Sequence, residues 1–424
     1  MFRLAVAIFA VQAGFHGFTA SLPLALYRAG LPDAQIGVIV GIASVVQVPA
    51  ALVAGALIDR FGGLRLFWVG AAAYLAGALV LLVPGVEPGG SALPFLAARV
   101  LQGIGIASVI PSALSLVSGL VPHTRQGFGL AFIGSAHNLT MGIMPPISLA
   151  ILGAGTSLHP VALTVVAAVL VGAALSVGLP ARGQLAADVV APEGRVHRRF
   201  GLSYRTAWTL PLLMSILFVA HWGVVVAYLP QRAELAGASV GPFFAADALA
   251  IIALRVPTGW LADRVAPRRL VLAGLFVTLV SLLLLLPRPT TTLLILAGIG
   301  TGAGGGLIVS PLLLELSRRS SDADRGSAFA LFSVAFALAL ALGSVGGAPI
   351  VALGGFEPAM VAGIAGVVGA GLVALVDPSM RGTAPVPRVE GAAALAGPAA
   401  DGPGIIEVPQ AGHAGATGPT GSVG

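Results

Sequence analysis

"GALIDRFGGLR", residues 55–65, sets three charges into an apolar run, and "GWLADRVAPRR", residues 259–269, does nearly the same 204 residues on. Self-similarity at a fixed offset marks a duplicated architecture. What the two turns interrupt tells which solvent the chain lives in. Of its 424 residues, 57% are hydrophobic and only 9% are charged, against about 25% charged in an ordinary soluble domain. A folded chain of this size cannot cover so much apolar surface with so few polar side chains. Most of it must face lipid.

A spanning helix needs about 20 apolar residues. Segments of that kind run at 4–27, 35–58, 64–84, 93–119, 126–153 and 159–180, and resume at 207–229, 239–262, 269–287, 292–316, 326–352 and 357–376. The pattern predicts an all-α integral membrane fold, with twelve transmembrane helices in two pseudo-symmetric six-helix halves. The halves are 1–180 and 207–376, joined by a cytoplasmic linker at 181–206. The tail 377–424 is rich in Pro, Gly and Ala and reads as disordered. "MFR" leads directly into a span, so the first helix is expected to be retained rather than cleaved as a signal peptide.

All 22 basic residues are Arg. With the N-terminus inside, Arg28, Arg232 and Arg288 fall outside, Arg99 and Arg255 fall within spans, and the other 17 are cytoplasmic. That asymmetry predicts a multi-pass protein of the cell membrane with both termini in the cytoplasm. The arginines are scattered and form no basic face for phosphates, so nucleic acid is not an expected partner. Zero Cys excludes disulfides, thiolate metal ligands and cysteine nucleophiles.

The repeat extends beyond the turns. "RQGFGLAFIGSAHNLTMGIMPP" from Arg125 matches "RGSAFALFSVAFALALALGSVGGAP" from Arg325 at an offset of 200, and Pro111 matches Pro311 likewise. His16 in the first span matches His221 in the seventh at 205. In the two turns, Gly55 and Gly259 are expected to admit a neighbouring helix closely. Asp59 and Asp263 are placed to accept from a helix N-terminus, while Arg60, Arg65 and Arg264 meet anionic headgroups.

With these residues in view, the chain resembles the major facilitator superfamily over 1–376. Gly55, Asp59, Arg60, Gly62 and Arg65 match its loop signature; the second copy, with Gly259, Asp263 and Arg264, has Ala266 for the second Gly. "RVLQGIGIAS", with Arg99, Gln102 and Gly103, is similar to the Arg-x-x-Gln-Gly motif of proton-coupled members, the drug-efflux branch above all. "GSAHNLTMGIMPP" departs from the antiporter signature by lacking its Gly-Pro-x-x-Gly-Gly core. The resemblance implies a secondary transporter working by alternating access.

Ionisable side chains inside spans are costly and therefore suggest function. At about 1.5 Å per residue, His16, His137, His221 and Asp247 all lie roughly 17–21 Å from the inner surface, with Arg99 slightly further out. Transporters built from repeats bind substrate at that depth. Gln12, His16 and Thr19 share one helix face, by their i, i+4, i+7 spacing. The family's cavity is lined by spans one and seven, which sets His16 opposite His221. The expected substrate and proton pathway is Gln12, His16, Thr19, Arg99, Gln102, His137, Asn138, His221 and Asp247. Asp247 is the one deep carboxylate, paired statically with Arg99 or a histidine or else titrating. Arg255 lies nearer the cytoplasm, where it can snorkel or pair with Glu315 or Asp263.

"GASVG" at 237–241 and "GTGAGG" at 300–305 mimic enzyme motifs without the strand context those motifs need. "NLT" at 138–140 is a glycosylation sequon inside a span. The expectation is a monomer with no enzymatic activity, cofactor or metal, whose partners are a small-molecule substrate, protons and the lipid bilayer. Proton-coupled efflux is the leading reading; the alternatives are uptake of a sugar or organic acid and, remotely, an embedded enzyme or receptor.

Overall fold

The structure, a computed structural model, describes residues 1–118, 120, 126–179, 204–262, 264–320 and 325–381, and among these the regular structure is entirely helical. The first helices are α1 (Phe2–His16), α2 (Ser21–Arg28), α3 (Asp33–Phe61), α4 (Gly63–Val80), α5 (Leu93–Ser118), α6 (Gln126–Leu152) and α7 (His159–Ser176). The later ones are α8 (Thr209–Leu235), α9 (Gly241–Ala262), α10 (Pro267–Leu283), α11 (Thr291–Arg318), α12 (Arg325–Ser344), α13 (Ala348–Gly354) and α14 (Phe356–Val376). Among the described residues, nine helical segments are long and apolar enough to cross a membrane. Most of the linker and the tail beyond Arg381 lie outside the described residues. The tail's first residues are ordered, contrary to expectation: Pro378–Arg381 form a 3-10 turn, and buried Asp377 pairs with Arg319 at 2.7 Å.

Two stretches expected to be continuous are broken. In the first, α1 stops at His16 and the chain turns through Gly17–Ala20, where the Phe18 and Thr19 amides donate to the Phe15 and His16 carbonyls. A Cβ at Gly17 would lie 2.6 Å from Val165 Cγ2, so only glycine lets this turn lie against α7. In the second, α12 stops at Ser344, and Val345–Gly347 precede α13, which has Pro349 in its first turn. Two glycines weaken the helix there and the proline suits a new start. Within a membrane, such backbone is tolerated where it lines a cavity or finds side-chain partners. The Tyr228 hydroxyl supplies one, donating to the Ser344 carbonyl at 2.6 Å.

Small residues set the packing, as expected when lipid offers no hydrophobic contrast. α8 and α12 cross where Gly223 meets Gly343: a Cβ on either would fall within 2.9 Å of the other's Cα. The "GTGAGG" glycines pack α11 against its neighbours. A Cβ at Gly302 would lie 2.9 Å from Asp247 Cα, and one at Gly304 2.7 Å from the Gly274 carbonyl. α1 packs on α6 and α7, and α5 on α3 and α4, while α8 packs on α12 and α14, and α11 on α9 and α10. These two sets meet chiefly through α3 with α12 and α6 with α9.

Candidate functional site

The two helix breaks border one small cavity, with about 50 Å3 of free space. From the first set of helices, α1 and its break contribute Phe15, His16 and Thr19, α3 contributes Val40 and Ser44, α5 contributes Arg99, and α6 contributes Met141. The second set supplies Trp222, Gly223 and Val226 from α8, with Leu340 and Ser344 from α12. The walls are thus mostly apolar, with polar groups concentrated on the first set.

Behind that wall runs a polar network joining five helices. The Tyr74 hydroxyl donates to Gln12 Oε1 at 2.9 Å, and Gln12 Nε2 lies 2.7 Å from His137 Nδ1. An amide nitrogen only donates, so His137 Nδ1 accepts there. The His137 and His16 rings are in contact, tilted 57° to each other with centroids 5.1 Å apart. Arg99 donates from Nε (3.1 Å) and Nη2 (2.6 Å) to the Val40 carbonyl and from Nη1 to Gln102 Oε1 at 2.6 Å. Its guanidinium also lies over the Phe15 ring, 5.0 Å from the centroid. Gln12, Arg99 and Gln102 are all buried. Buried His16 and Thr19 differ from them: neither ring nitrogen of His16 nor the Thr19 hydroxyl has a hydrogen-bond partner.

The structure brings Gln12, His16, Thr19, Arg99, Gln102 and His137 together and sets three expected residues apart. Asn138 is half-buried next to His137 and does not line the cavity. His221 faces α14, where a Cβ at Gly363 would lie 3.1 Å from its Cβ, and its Nδ1 donates to the Phe218 carbonyl. One residue on, a helix turns about 100°, so Trp222 meets the cavity in place of His221. Asp247 is buried between α9 and α11, where it accepts from the Thr301 hydroxyl at 2.8 Å; it lines no part of the cavity. Its partner is neither Arg99 nor a histidine. The link to the cavity is indirect, since Trp222 stacks on Phe243 at 6.0 Å, one turn before Asp247 on α9.

The loop motifs carry one correction. Gly55 was expected to admit a close neighbour, yet it is exposed and a Cβ there would meet nothing within 4 Å. Gly62 ends α3 at φ +87°, a conformation that favours glycine. Arg60 and Arg65 are exposed, and Arg60 lies over the Phe61 ring at 5.2 Å. Gly259 lies within α9 and Arg264 is exposed beyond it. The side chains of Asp59 and Arg255 and the whole of Asp263 lie outside the described residues. Glu315, considered for Arg255, pairs with Arg318 at 3.0 Å.

Several site residues gave no signal in the sequence. Phe15, Trp222 and Leu340 are ordinary apolar residues until the helix faces are known. Tyr74 was findable in principle, because a tyrosine buried in a span needs a partner for its hydroxyl.

Comparison with known proteins agrees with this architecture. The Major Facilitator Superfamily model matches residues 4–246 and 211–400. An uncharacterized MFS-type transporter of Mycobacterium tuberculosis is 30% identical over 148 residues, which is 33% of this chain and 24% of that protein. The match therefore spans about a quarter of that relative's length. Among solved structures, a POT peptide transporter in complex with sulfate superposes with a TM-score of 0.70 at 18% identity, covering 88% of this chain and 92% of that one. A D-xylose-proton symporter gives 0.68 at 17% identity, covering 89% and 97%. The nucleoside transporter NupG gives 0.67 at 12% identity, covering 89% and 98%. At these identities the likeness is one of fold. The family match extends across most of the chain, and the chain, a multi-pass membrane protein, belongs to the major facilitator superfamily.

Proposed function

We propose that this protein is a secondary transporter that works as a monomer in the cell membrane and exports a small, mostly apolar organic compound in exchange for protons. Twelve spans form two halves, 1–180 and 207–376, which rock about the cavity; α6, α9 and α10 complete the twelve. The repeat matches α3 to α9 and α6 to α12, so the α3–α12 and α6–α9 seams exchange under it, which supports two related halves. The observation that carries the reading is the cavity itself. It lies between the halves, at two helix breaks, and holds buried polar atoms with nothing to bond. The Arg99–Gln102–Gly103 motif supports proton coupling and export.

Reconstituted protein tests this. Counterflow against a compound panel identifies the substrate, and an imposed proton gradient then drives or fails to drive its movement. Export requires protons to enter as substrate leaves. Gradient-independent equilibration alone would remove the coupling, and co-directional movement would make the protein an importer.

Arg positions place the end carrying Arg28 and Glu234 outside. In this conformation that end is shut. Arg28 pairs with Glu234 at 2.8 Å and donates to the Gly153 carbonyl at 2.6 Å, tying α2 to α8 and to the end of α6. Below it, Gly41 of α3 abuts Ser344 and Val345. An ion pair this exposed is worth only about 0–1 kcal/mol, weak enough to open in each cycle. Cysteines at 28 and 234, in a chain with no other thiol, can be joined by a reducible bifunctional crosslinker. Transport should fall at least tenfold on crosslinking and return on reduction. Undiminished transport in the crosslinked protein would rule out opening at this end.

A further inference from the structure

We infer that the cavity binds a monocarboxylate: a small amphiphile whose carboxylate meets Arg99, His16 and Thr19 and whose apolar body lies against Trp222, Val226 and Leu340. This rests on the transporter reading and names its substrate class.

Charge comes first. Arg99 is 2% exposed and lies on the cavity wall. The acids in ion pairs among the described residues are Glu234, Glu315, Glu357 and Asp377, each with another arginine. Arg99 has only neutral partners, the Val40 carbonyl and Gln102. A buried cation without a counter-charge is costly, and a ligand anion removes that cost. Guanidinium has five N–H donors, and the three bonds to Val40 and Gln102 leave one on each terminal nitrogen. Two such donors suit the two oxygens of a carboxylate.

The second observation is independent of charge. His16 and Thr19 are each 5% exposed, line the same cavity, and leave both ring nitrogens and the hydroxyl unbonded. Buried polar groups normally have partners. Both side chains offer a donor, one by N–H and one by O–H, and both stand at the break in the first span beside Arg99. Three donating side chains with one net charge describe a monoanion; a dianion such as phosphate would leave a charge unmatched. The opposite wall is apolar and aromatic, with the Trp222 indole held by Phe243 and Phe244. The free space within it, about 50 Å3, is far below the roughly 300–1,000 Å3 of ligand pockets, so a bound carboxylate requires the cavity to widen as the halves part.

The test uses full-length protein in detergent, without a gradient, so that it stands apart from any failure of transport. Benzoate, phenylacetate, 4-methylpentanoate and hexanoate are titrated at neutral pH by thermal shift, each beside its own neutral amide. At least one acid should bind, at least tenfold more tightly than its amide, and Arg99→Gln should abolish that preference. His16→Ala should weaken the acid severalfold, read as the ligand-induced shift from the variant's own unliganded midpoint, which the loss of the buried ring will itself lower. Thr19→Val should do the same more mildly. If Arg99→Gln fails to fold, the His16 and Thr19 variants decide. Acids that all fail to bind, amides that bind equally, or an acid preference that survives the variants would overturn the inference. Neutral compounds carried in proteoliposomes while no acid binds would overturn it and leave the transporter standing.

Discussion

Asp247→Asn is expected to abolish proton-driven movement of substrate, by at least tenfold, while leaving binding and substrate exchange within about twofold of the parent. The Thr301 hydroxyl donates to Asp247 Oδ1 at 2.8 Å and lies 3.0 Å from the Ala297 carbonyl. With the carboxylate charged, the hydroxyl points at Asp247. With a proton on Asp247, the acid can donate to Thr301 while the hydroxyl turns to Ala297. Both states are therefore satisfied by one rotation, which suits a group that must be filled and emptied in turn. Asn keeps the size and the acceptor but not the proton exchange.

Its position suggests how the proton would be felt. Asp247 precedes Ala248, which meets Gly142 of α6 where the two sets of helices join, and it follows Phe243 and Phe244, which hold Trp222 in the cavity wall. A change of charge there bears on one element shared by seam and cavity, as coupling requires. Proton-driven transport at parental rates in Asp247→Asn would move the coupling elsewhere, to the His16–His137 pair first. Thr301→Val supplies a second reading: it should slow coupled transport while sparing exchange, because the charged state loses its donor.

How much of this could be read in advance differs from one feature to the next. Membrane helices were legible because lipid demands long apolar runs, and helices stand at the stretches so read. Polar residues inside spans were legible as costly exceptions, and six of the nine singled out meet around one network. Facing was not. His221 and Trp222 are neighbours in sequence, and only the register of α8 against α14 decides which one reaches the cavity. The breaks after His16 and Ser344 were hidden for a similar reason. Gly17 and Gly346–Gly347 read equally well as helix-packing glycines until the neighbouring helix is known. Asp247 and Thr301 are 54 residues apart, and no local pattern connects them.

The largest stability loss is expected from Gly343→Leu. Overpacking usually costs about 1–3 kcal/mol because side chains shift to new rotamers. At this crossing there is little that can shift. A Cβ on Gly343 would lie 2.8 Å from Gly223 Cα and 2.9 Å from the Val224 amide nitrogen, so it meets backbone on the facing helix. Relief requires α8 and α12 to separate, and that opens the wall formed by Gly223 and Ser344. The loss should thus reach or exceed the top of that range. Gly305→Leu is the matched control: it too lies within a helix, but a Cβ there meets nothing within 4 Å. Replacing a helical glycine raises helix propensity, so this variant should be neutral or slightly stabilised. Chromatography of heated, detergent-solubilised samples should show little folded Gly343→Leu protein and parental Gly305→Leu. Equal midpoints for the two would mean that α8 and α12 do not cross at these glycines. A bound carboxylate would then lose the apolar wall of Trp222 and Leu340 while keeping Arg99 and His16.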